Sequence, residues 1–385
     1  MIRPFLSTLA ASAVATVCLV TPARAANDHE SLRQETAQAI RRSVQYLEKL
    51  QDESVGSIGD KENPAITALA VMAIMGDPGH GKNTVPPSAD KAYRFLVSQA
   101  KADGGIYAKG LANYNTSLAL TALMLDPRPV NRDAAKKAQQ FLVGLQQDNG
   151  EPGKMDHDHD GGIGYGGSSP HSDLSNTHFA LEALYYAQAL DAEKPADPKE
   201  KKLNYEAAIT FVTRCQNLKA RNDQPWASDD ERNKGGFVYE PGVSKAGEEK
   251  LPDGKTALRS TGSISYAGLL SLIYAKLDKS DERVTAVLDW LQANYTVKEN
   301  PGLEKQGLYY YYHSMAKALS VLNIKDLKLK DGRTVDWREE LGNELLRHQK
   351  PDGSWTNDTA RWRESDAAYA TALATLTLIH IHHSL

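Results

Sequence analysis

The sequence has 385 residues, of which 41% are hydrophobic and 24% are charged, and its formal net charge is −4. This balance is typical of a chain that folds around a core, and it excludes intrinsic disorder as the main state. The small negative charge gives no basic surface field for nucleic acid or for an anionic membrane, so we expect neither as a partner.

The first 25 residues have the pattern of a cleavable signal peptide. Arg3 precedes an uncharged apolar run from Phe5 to Val20, and Ala23-Arg24-Ala25 forms a small-x-small cleavage site. The pattern predicts a periplasmic or secreted protein whose mature domain covers residues 26–385. No later stretch reaches the ~18 apolar residues of a membrane span, so we expect no integral membrane segment after cleavage.

Along the rest of the chain, six segments each end in a glutamine that follows an apolar residue by one helical turn. The pairs are Leu47/Gln51, Phe95/Gln99, Leu142/Gln146, Val212/Gln216, Leu288/Gln292 and Leu345/Gln349. A glycine-containing turn follows each glutamine, and glycine permits a tight turn or a close approach to a neighbour. The pattern predicts six helical hairpins of about 50 residues each, with loop insertions near 150–172 and 217–260.

The two helices of each predicted hairpin differ in composition. The first is amphipathic, as in the stripe of Ile40, Val44 and Leu47, which is typical of a helix with one wet face. The second is rich in alanine and leucine and nearly apolar all round, which predicts burial on every side. We therefore expect an all-α fold, an (α/α)6 toroid with an outer and an inner ring of helices. Because the last inner helix is as apolar as the others, we expect a closed ring and not an open stack with polar caps.

Three segments carry a family resemblance: QKPDGSW from Gln349 to Trp355, QAKADGGIY from Gln99, and PHSDLSNTHFALEAL from Pro170. They resemble the repeats of the prenyltransferase and squalene-oxidase family, which includes squalene-hopene cyclases and protein prenyltransferase β subunits. The resemblance covers about residues 31–380 and looks closest to exported bacterial proteins of a single domain. It implies the toroid fold and a central cavity for an apolar, isoprenoid-class ligand.

Two catalytic signatures of that family are absent from the sequence. Squalene-hopene cyclases use a DxDD acid, and the nearest string here is DHDHD in a loop insertion. The zinc-ligand positions of the prenyltransferases correspond to Ser263, Ser265 and His313, of which only the histidine is a good zinc ligand. We therefore predict no cofactor and leave catalysis open.

The DHDHD string is also a weak candidate for a divalent metal site. It contains Asp156, His157, Asp158, His159 and Asp160. These residue types bind Zn²⁺ or Ca²⁺, but their spacing matches no defined ligand motif, and a solvated loop is the simpler interpretation.

The mouth of the cavity, where the inner helices begin, is the expected functional site. The ligand-binding candidates there are Tyr311, Tyr312, His313, Asn115, Asn176 and Tyr266. The candidates for acid–base catalysis are His313, Tyr312, His178 and Asp366, although a helix cap for Asp366 and a hydrogen-bonded helix end for His178 are the simpler interpretations. Consecutive helical residues point in different directions, so only two or three of Tyr309–His313 can face the cavity.

Two classes of function remain open at this point. The first is a cavity for an apolar, isoprenoid-class ligand, with or without catalysis, which predicts aromatic and aliphatic lining. The alternative is a polysaccharide-active enzyme or a protein-binding scaffold built on the same toroid. A glycan-cleaving site predicts carboxylates about 5 to 10 Å apart beside stacking tyrosines.

Overall fold

The computed structural model describes residues 23–81, 83–166, 171–191, 200–252 and 254–385. The predicted signal peptide lies outside these residues except for 23–25, so the cleavage and the export of the chain stay predictions. Among the residues that the structure describes, no helix is long and apolar enough to cross a membrane.

Twelve α-helices account for about half of the described residues, and they alternate between two kinds. The first kind comprises α1 (Ala23–Lys49), α3 (Pro87–Ser98), α5 (Arg132–Val143), α7 (Tyr205–Arg214), α9 (Glu282–Ala293) and α11 (Trp337–His348). The second kind comprises α2 (Pro64–Met75), α4 (Ala112–Met124), α6 (Leu174–Asp191), α8 (Gly262–Tyr274), α10 (Leu308–Val321) and α12 (Ala367–Ser384). This architecture confirms the predicted all-α class.

Two short antiparallel hairpins and two 3-10 turns, Pro129–Asn131 and Arg361–Arg363, accompany these helices in the described residues. Strand β1 (Glu248–Lys250) pairs with β2 (Thr256–Leu258) in the register that places Glu249 opposite Ala257. Strand β3 (Asp326–Lys328) pairs with β4 (Thr334–Asp336) and places Leu327 opposite Val335. The first hairpin belongs to the long insertion between α7 and α8, and the second connects α10 to α11.

Burial separates the two kinds of helix as the composition predicts. In α2, eleven of twelve residues are buried, whereas α3 buries five of twelve, on one face. The other even-numbered helices are likewise buried nearly all round. The even-numbered helices are therefore the inner helices, and the odd-numbered helices pack outside them.

The inner helices contact one another in chain order and return to the start. Helix α2 packs against α4, α4 against α6, α6 against α8, α8 against α10, and α10 against α12. Helix α12 then packs against α2, and the outer helix α11 packs against α1. The contacts form a closed cycle, which is the order that the toroid predicts.

Four of the six repeated glutamines join one hairpin to the next. In four repeats the side-chain amide donates one hydrogen bond to a carbonyl of the following glycine turn and one to a carbonyl at or near the next outer helix. These pairs of acceptors are Gly56 and Ser88 for Gln51, Gly161 and Asn204 for Gln146, Gly235 and Arg283 for Gln216, and Gly353 and Ala39 for Gln349. The last pair crosses from the end of α11 to α1, at the point where the cycle closes.

The glycine turns approach the neighbouring outer helix too closely for any side chain. Gly161 and Gly235 have φ angles of 85° and 88°. A Cβ atom would lie 2.0 Å from the carbonyl oxygen of Ala207 at Gly161, and 2.1 Å from that of Ala286 at Gly235. Both the left-handed backbone and the lack of space require glycine at these two positions.

A hydroxyl group on most inner helices holds the same turns from the other side. Thr67, Thr116, Thr177, Ser265 and Thr371 each accept a hydrogen bond from a backbone N–H of the preceding turn, at 2.9–3.0 Å. The turns are thus tied to the outer helices by glutamine and to the inner helices by threonine or serine. This places the inner-helix starts side by side at one end of the ring.

Candidate functional site

A pocket with a volume of about 280 Å³ opens where the inner helices begin. Its wall contains seven aromatic side chains: Tyr114, Tyr165, Phe179, Tyr239, Tyr310, Trp362 and Tyr369. Leu111, Ile264 and Leu303 add aliphatic surface to it. Because α4, α6, α8, α10 and α12 all contribute residues, the pocket depends on the arrangement of the whole inner ring.

The aromatic residues of the wall contact one another. The rings of Tyr114 and Phe179 meet edge to face with centroids 4.9 Å apart, and Phe179 lies 5.8 Å from the ring of Tyr310. The hydroxyl of Tyr114 donates to that of Tyr369 at 3.2 Å. These contacts leave mainly ring faces and edges toward the pocket, which favours apolar or cationic groups there.

Glu364 is the single carboxylate among the described residues that line the pocket. Its side chain is fully buried; Oε1 accepts the backbone N–H of Tyr310 at 2.9 Å, and Oε2 accepts Nδ2 of Asn357 at 2.7 Å. Burial raises the pKa of Glu364 to about 6, because desolvation disfavours the charged carboxylate. Near neutral pH this carboxyl group can therefore hold or release a proton.

The rim of the pocket contains three non-glycine residues in the left-handed region of backbone conformation. Leu111, Trp362 and Arg363 have φ angles of 47°, 56° and 66°. Each such residue costs roughly 1–3 kcal/mol of strain and persists when its surroundings hold it in place. Gly307 packs against the ring of Trp362, and Arg363 donates to Asp60 at 2.6 Å. The strain concentrates around the opening, where functional sites commonly store it.

Asn176 is the predicted ligand-binding residue that lies in the wall of the pocket. Its side-chain amide donates to Oδ2 of Asp173 at 2.8 Å, and its backbone N–H donates to Oδ1 at 2.9 Å. Asp173 therefore fixes the start of α6 and orients the Asn176 side chain. The side-chain oxygen of Asn176 accepts one long hydrogen bond of 3.5 Å from Nδ2 of Asn113, and its second lone pair can accept a donor from a ligand.

Tyr311 and Tyr312 are placed differently from the prediction. Neither lies in the pocket wall, and their hydroxyls donate to the backbone carbonyls of Thr296 and Val297, at 2.8 and 2.6 Å. Tyr310 is the member of the tyrosine run that faces the pocket. The reason is the 100° rotation between successive helical residues, which turns the two neighbours into the packing between helices.

Asn115 and Tyr266 also lie outside the pocket wall. The side-chain oxygen of Asn115 accepts the backbone N–H of Ala65 at 2.9 Å, which joins α4 to the start of α2. Tyr266 is buried, with its ring 5.8 Å from that of Tyr311. In this structure both residues serve the packing of the inner ring.

His178 and His313 lie in a buried group of polar side chains that we call the axial cluster. Its members are the buried His178 and Glu182 on α6, the buried His313 and Lys317 on α10, and the half-buried His380 on α12. The Lys317 ammonium pairs with the Glu182 carboxylate, and Nε2 of His178 lies 3.7 Å from that carboxylate. The rings of His313 and His380 are 5.6 Å apart. Since α6 and α10 are not neighbours in the cycle, the ion pair crosses the interior of the ring.

The histidines of the axial cluster are neutral over a wide pH range. Burial lowers the pKa of His178 to about 4 and that of His380 to about 3, and it lowers the pKa of His313 well below its ordinary value. None of the three lines the pocket, and Nδ1 of both His178 and His313 is buried without a hydrogen-bond partner. Their predicted acid–base role stays a prediction.

Asp366 caps the start of α12, which is the simpler of the two roles expected for it. Its side chain accepts the backbone N–H groups of Ala368 and Tyr369 at the start of α12, at 2.9 and 3.4 Å. It does not lie in the pocket wall. Its predicted catalytic role therefore has no geometric support in the pocket.

The five residues of the DHDHD string do not converge on one point. Asp160 accepts the backbone N–H groups of Asn149 and His157, and Asp156 accepts that of Glu151. These carboxylates organise their own loop. His159 points elsewhere, toward Ser172.

Two of the three positions that correspond to the zinc ligands of the prenyltransferases are occupied by serines with structural roles. The hydroxyl of Ser265 accepts the backbone N–H of Phe237 at 2.9 Å, and that of Ser263 accepts Nδ2 of Asn300 at 3.1 Å. Of the three positions Ser263, Ser265 and His313, only His313 therefore supplies a good metal ligand.

No family model and no curated protein matches the sequence. Among solved structures, a variant of the type II terpene cyclase MstE from Scytonema in complex with merosterolic acid A (product) has a TM-score of 0.54 and 12% identity. Another variant, in complex with geranylgeranyl dihydroxybenzoate (substrate), has the same TM-score and identity. Both alignments cover 92% of this chain and 99% of the cyclase chain. The fold is terpene-cyclase-like.

Within this terpene-cyclase-like fold, the residues that line the pocket include several that the sequence patterns did not single out. Phe179 belongs to an inner helix and looks like a core residue in the sequence. Tyr310 lies in the run Tyr309–His313, of which two or three residues were expected to face the cavity, but it was not among the residues chosen as ligand-binding candidates. Trp362 and Glu364 lie in an irregular turn before α12 that has no periodicity. The sequence offered one signal for the last two residues, the string RWRES just before the last inner helix, in which Glu364 follows Trp362 by two residues.

Proposed function

We propose that the pocket binds an apolar ligand of the isoprenoid class. The observation that supports this proposal is the wall of seven aromatic and three aliphatic side chains at the inner-helix starts of a terpene-cyclase-like fold. Burial of apolar surface contributes about 25 cal/mol per Å², so such a wall favours a hydrocarbon chain over a polar ligand. MstE binds geranylgeranyl dihydroxybenzoate, a ligand with a long isoprenoid chain.

The composition of the wall does not favour the glycan alternative. A glycan-cleaving site needs two carboxylates, and Glu364 stands alone among the described lining residues.

A second candidate function is acid-catalysed isomerisation or cyclisation of the bound isoprenoid. The observation that favours it is the position of Glu364 in the wall, with its pKa raised to about 6 by burial. The protonated carboxyl group would transfer its proton to an alkene carbon, which forms a C–H bond and leaves a carbocation on the neighbouring carbon. The aromatic faces stabilise that charge. Loss of a proton from an adjacent carbon to the carboxylate then restores both the acid and an alkene.

Binding is tested with the chain over residues 26–385 and the probes farnesol and geranylgeraniol, by isothermal titration. Ser175→Phe places a ring in the pocket and should weaken binding at least tenfold. The matched control is Tyr312→Phe, which removes a hydroxyl outside the pocket and should leave the affinity within twofold. Equal affinity of the wild type and Ser175→Phe for both probes would contradict the proposal.

Catalysis is tested by incubating the same probes with the protein in D₂O and analysing the extracted products by mass spectrometry. Proton transfer from the carboxyl group predicts an isomeric product that carries one deuterium on carbon. Glu364→Gln should abolish this product while it retains ligand affinity, because the amide keeps an oxygen to accept the Tyr310 N–H but has no transferable acid proton. Absence of a deuterated product with the wild type, or its persistence in Glu364→Gln, rejects the second candidate and leaves the binding proposal to its own test.

A further inference from the structure

Three side chains with metal-ligand atoms converge where the two long insertions meet beside the pocket. They are His159 and His171 from the insertion before α6, and Glu240 from the insertion before α8. One nitrogen or oxygen atom of each lies within 4.8 Å of those of the other two. Nε2 of His171 contacts Oε2 of Glu240, and the rings of His159 and His171 have centroids 4.8 Å apart.

The surroundings of His159 leave one ring nitrogen available. Nδ1 lies 2.9 Å from the carbonyl oxygen of Ser172, and the Ser172 N–H points at the same nitrogen from 3.3 Å, so we assign the ring proton to Nδ1 from the shorter contact, in which it donates to the carbonyl. This tautomer places the lone pair on Nε2. A backbone carbonyl that accepts the other ring N–H is the usual support of a metal-ligating histidine.

Glu240 supplies a buried carboxylate whose partner is another member of the group. It is 6% exposed, and its Oε2 atom contacts Nε2 of His171. A tight turn fixes its backbone, because Glu240 and Val243 exchange N–H···O bonds of 3.3 and 3.0 Å. A buried carboxylate needs a compensating positive charge, and a cation bound between the carboxylate and the imidazole supplies one.

We propose that His159, His171 and Glu240 bind a divalent ion of the zinc class, with solvent in the fourth position. Two imidazole nitrogens and one carboxylate oxygen form an established type of zinc ligand set. The nitrogen ligands disfavour Ca²⁺ and Mg²⁺, which prefer oxygen. Zinc requires its ligand atoms at 2.0–2.2 Å, so binding would draw in three atoms that lie within 4.8 Å of one another without the ion.

The ion would join the two insertions directly beside the pocket wall. Tyr239, the residue before Glu240, lines the pocket, and its hydroxyl lies 2.8 Å from that of Tyr165 in the other insertion. The backbone carbonyl of Tyr239 also accepts the N–H of Leu174 at the start of α6. The proposed zinc site does not depend on the proposed apolar ligand, because all three of its ligand atoms belong to side chains of the protein.

A second group of ligand-type side chains within the described residues, His29, Asp336 and Glu339, does not support the same inference. Asp336 already caps α11 and pairs with the Arg338 guanidinium, so its carboxylate is satisfied.

The test uses the tag-free chain over residues 26–385, stripped with EDTA and titrated with Zn²⁺ against a chromophoric chelator. We expect one tightly bound ion and a tetrahedral absorption spectrum with Co²⁺. His159→Ala and Glu240→Gln should each weaken Zn²⁺ binding about 100-fold or more. The matched control is His157→Ala, whose ring lies 5.6 Å from that of His159 but outside the ligand group, and it should bind within twofold of the wild type.

Stability without metal separates loss of the site from loss of the fold. Without metal, each variant should have the same melting temperature as the wild type. Added Zn²⁺ should raise the melting temperature of the wild type but not that of the variants, and this result supports the site. His171→Ala, at a half-exposed ring, provides the same comparison if Glu240→Gln does not fold. Wild-type Zn²⁺ affinity in His159→Ala and His171→Ala overturns the proposal. The neighbouring histidines His382 and His383 at the end of α12 could hold zinc instead, so loss of the ion in a His382→Ala/His383→Ala variant also overturns it.

Discussion

Gly235 occupies a place where a single methyl group would push a glycine turn away from the outer helix α9. A Cβ atom there would lie 2.1 Å from the carbonyl oxygen of Ala286, whereas at Gly332, which has a similar φ angle, it would meet nothing within 4 Å. Gly332→Ala should cost about 1–2 kcal/mol of unfolding free energy, from the left-handed backbone alone. Gly235→Ala should cost about 3–5 kcal/mol, because the backbone must also move. Urea unfolding of both variants checks the difference, and equal losses would show that the close approach is relaxed in solution.

The carboxyl group of Glu364 makes stability depend on pH in a defined direction. Its pKa rises from an ordinary 4.5 to about 6 on folding, so the folded chain holds the proton more tightly. This contribution to stability is complete below pH 4.5 and is lost as the pH rises through 6. Glu364→Gln removes this titration, so only the wild type loses stability as the pH rises. The unfolding free energy of the variant minus that of the wild type should therefore increase by about 2 kcal/mol between pH 4.5 and 7. Urea unfolding at the two pH values measures this. The exposed variant Glu53→Gln serves as the control, and a pH-independent difference for Glu364→Gln would contradict the shift.

At the scale of the single residue, the sequence predicted some positions and not others for a physical reason. Asn176 and the cap at Asp366 follow from their places at helix starts, because capping depends on local sequence. The choice of Tyr310 over Tyr311 and Tyr312 depends on the rotation of α10 about its axis, and one residue of error changes the face by 100°. The meeting of His159 with Glu240 depends on two loops without periodicity, so no pattern in the chain could indicate it.

At the scale of the element, Gln349 connects the end of α11 to α1. Its amide donates to the carbonyls of Ala39 and Gly353, at 2.9 and 3.0 Å, and its oxygen accepts from Arg42. Gln349→Ala should cost about 1–3 kcal/mol of unfolding free energy, because two carbonyls lose their donor. The matched control is Gln99→Ala, whose amide donates to the adjacent Ser98 hydroxyl, and it should cost less than about 0.5 kcal/mol. Similar losses in the two variants would mean that the glutamine does not join the hairpins energetically.

The ion pair between Glu182 and Lys317 connects α6 to α10 across the interior. Both side chains are buried, so Glu182→Gln leaves the ammonium without its counter-charge and should cost about 3–5 kcal/mol. Replacement of both partners, as Glu182→Leu with Lys317→Met, should recover most of that loss. The exposed pair Glu62 and Lys109 is the control, and Glu62→Gln should change stability by less than about 1 kcal/mol. Chemical denaturation decides, and a double variant as unstable as the single one would argue against an electrostatic cause.

The helices themselves were the most predictable level. Composition alone separated outer from inner helices, because a helix buried on all sides cannot carry a polar face. The glutamine repeat predicted the number of hairpins, but its physical role, a donor to the next outer helix, became clear only from the contacts. The hydroxyl groups that hold the turns from the inner helices were not predicted, since threonine and serine within an apolar helix give no periodic signal.

At the scale of the whole molecule, the contacts of α12 with α2 and of α11 with α1 remove the free ends that an open stack of hairpins would have. In an open stack the terminal repeats have one neighbour and fray first, whereas in a closed ring every inner helix has two. Amide hydrogen exchange should therefore protect the centre of α2, around Leu69–Ala73, and of α12, around Leu373–Leu378, to within about tenfold of the centre of α6. Mass spectrometry of deuterated peptides measures the three segments in one experiment, with the exposed residues Lys201 and Lys202, which lie outside helices and strands, as the unprotected reference. Exchange at both ends more than 100-fold faster than in α6 would show that the ring opens between its first and last hairpins, and the pocket, which needs residues from α4 to α12 together, would open with it.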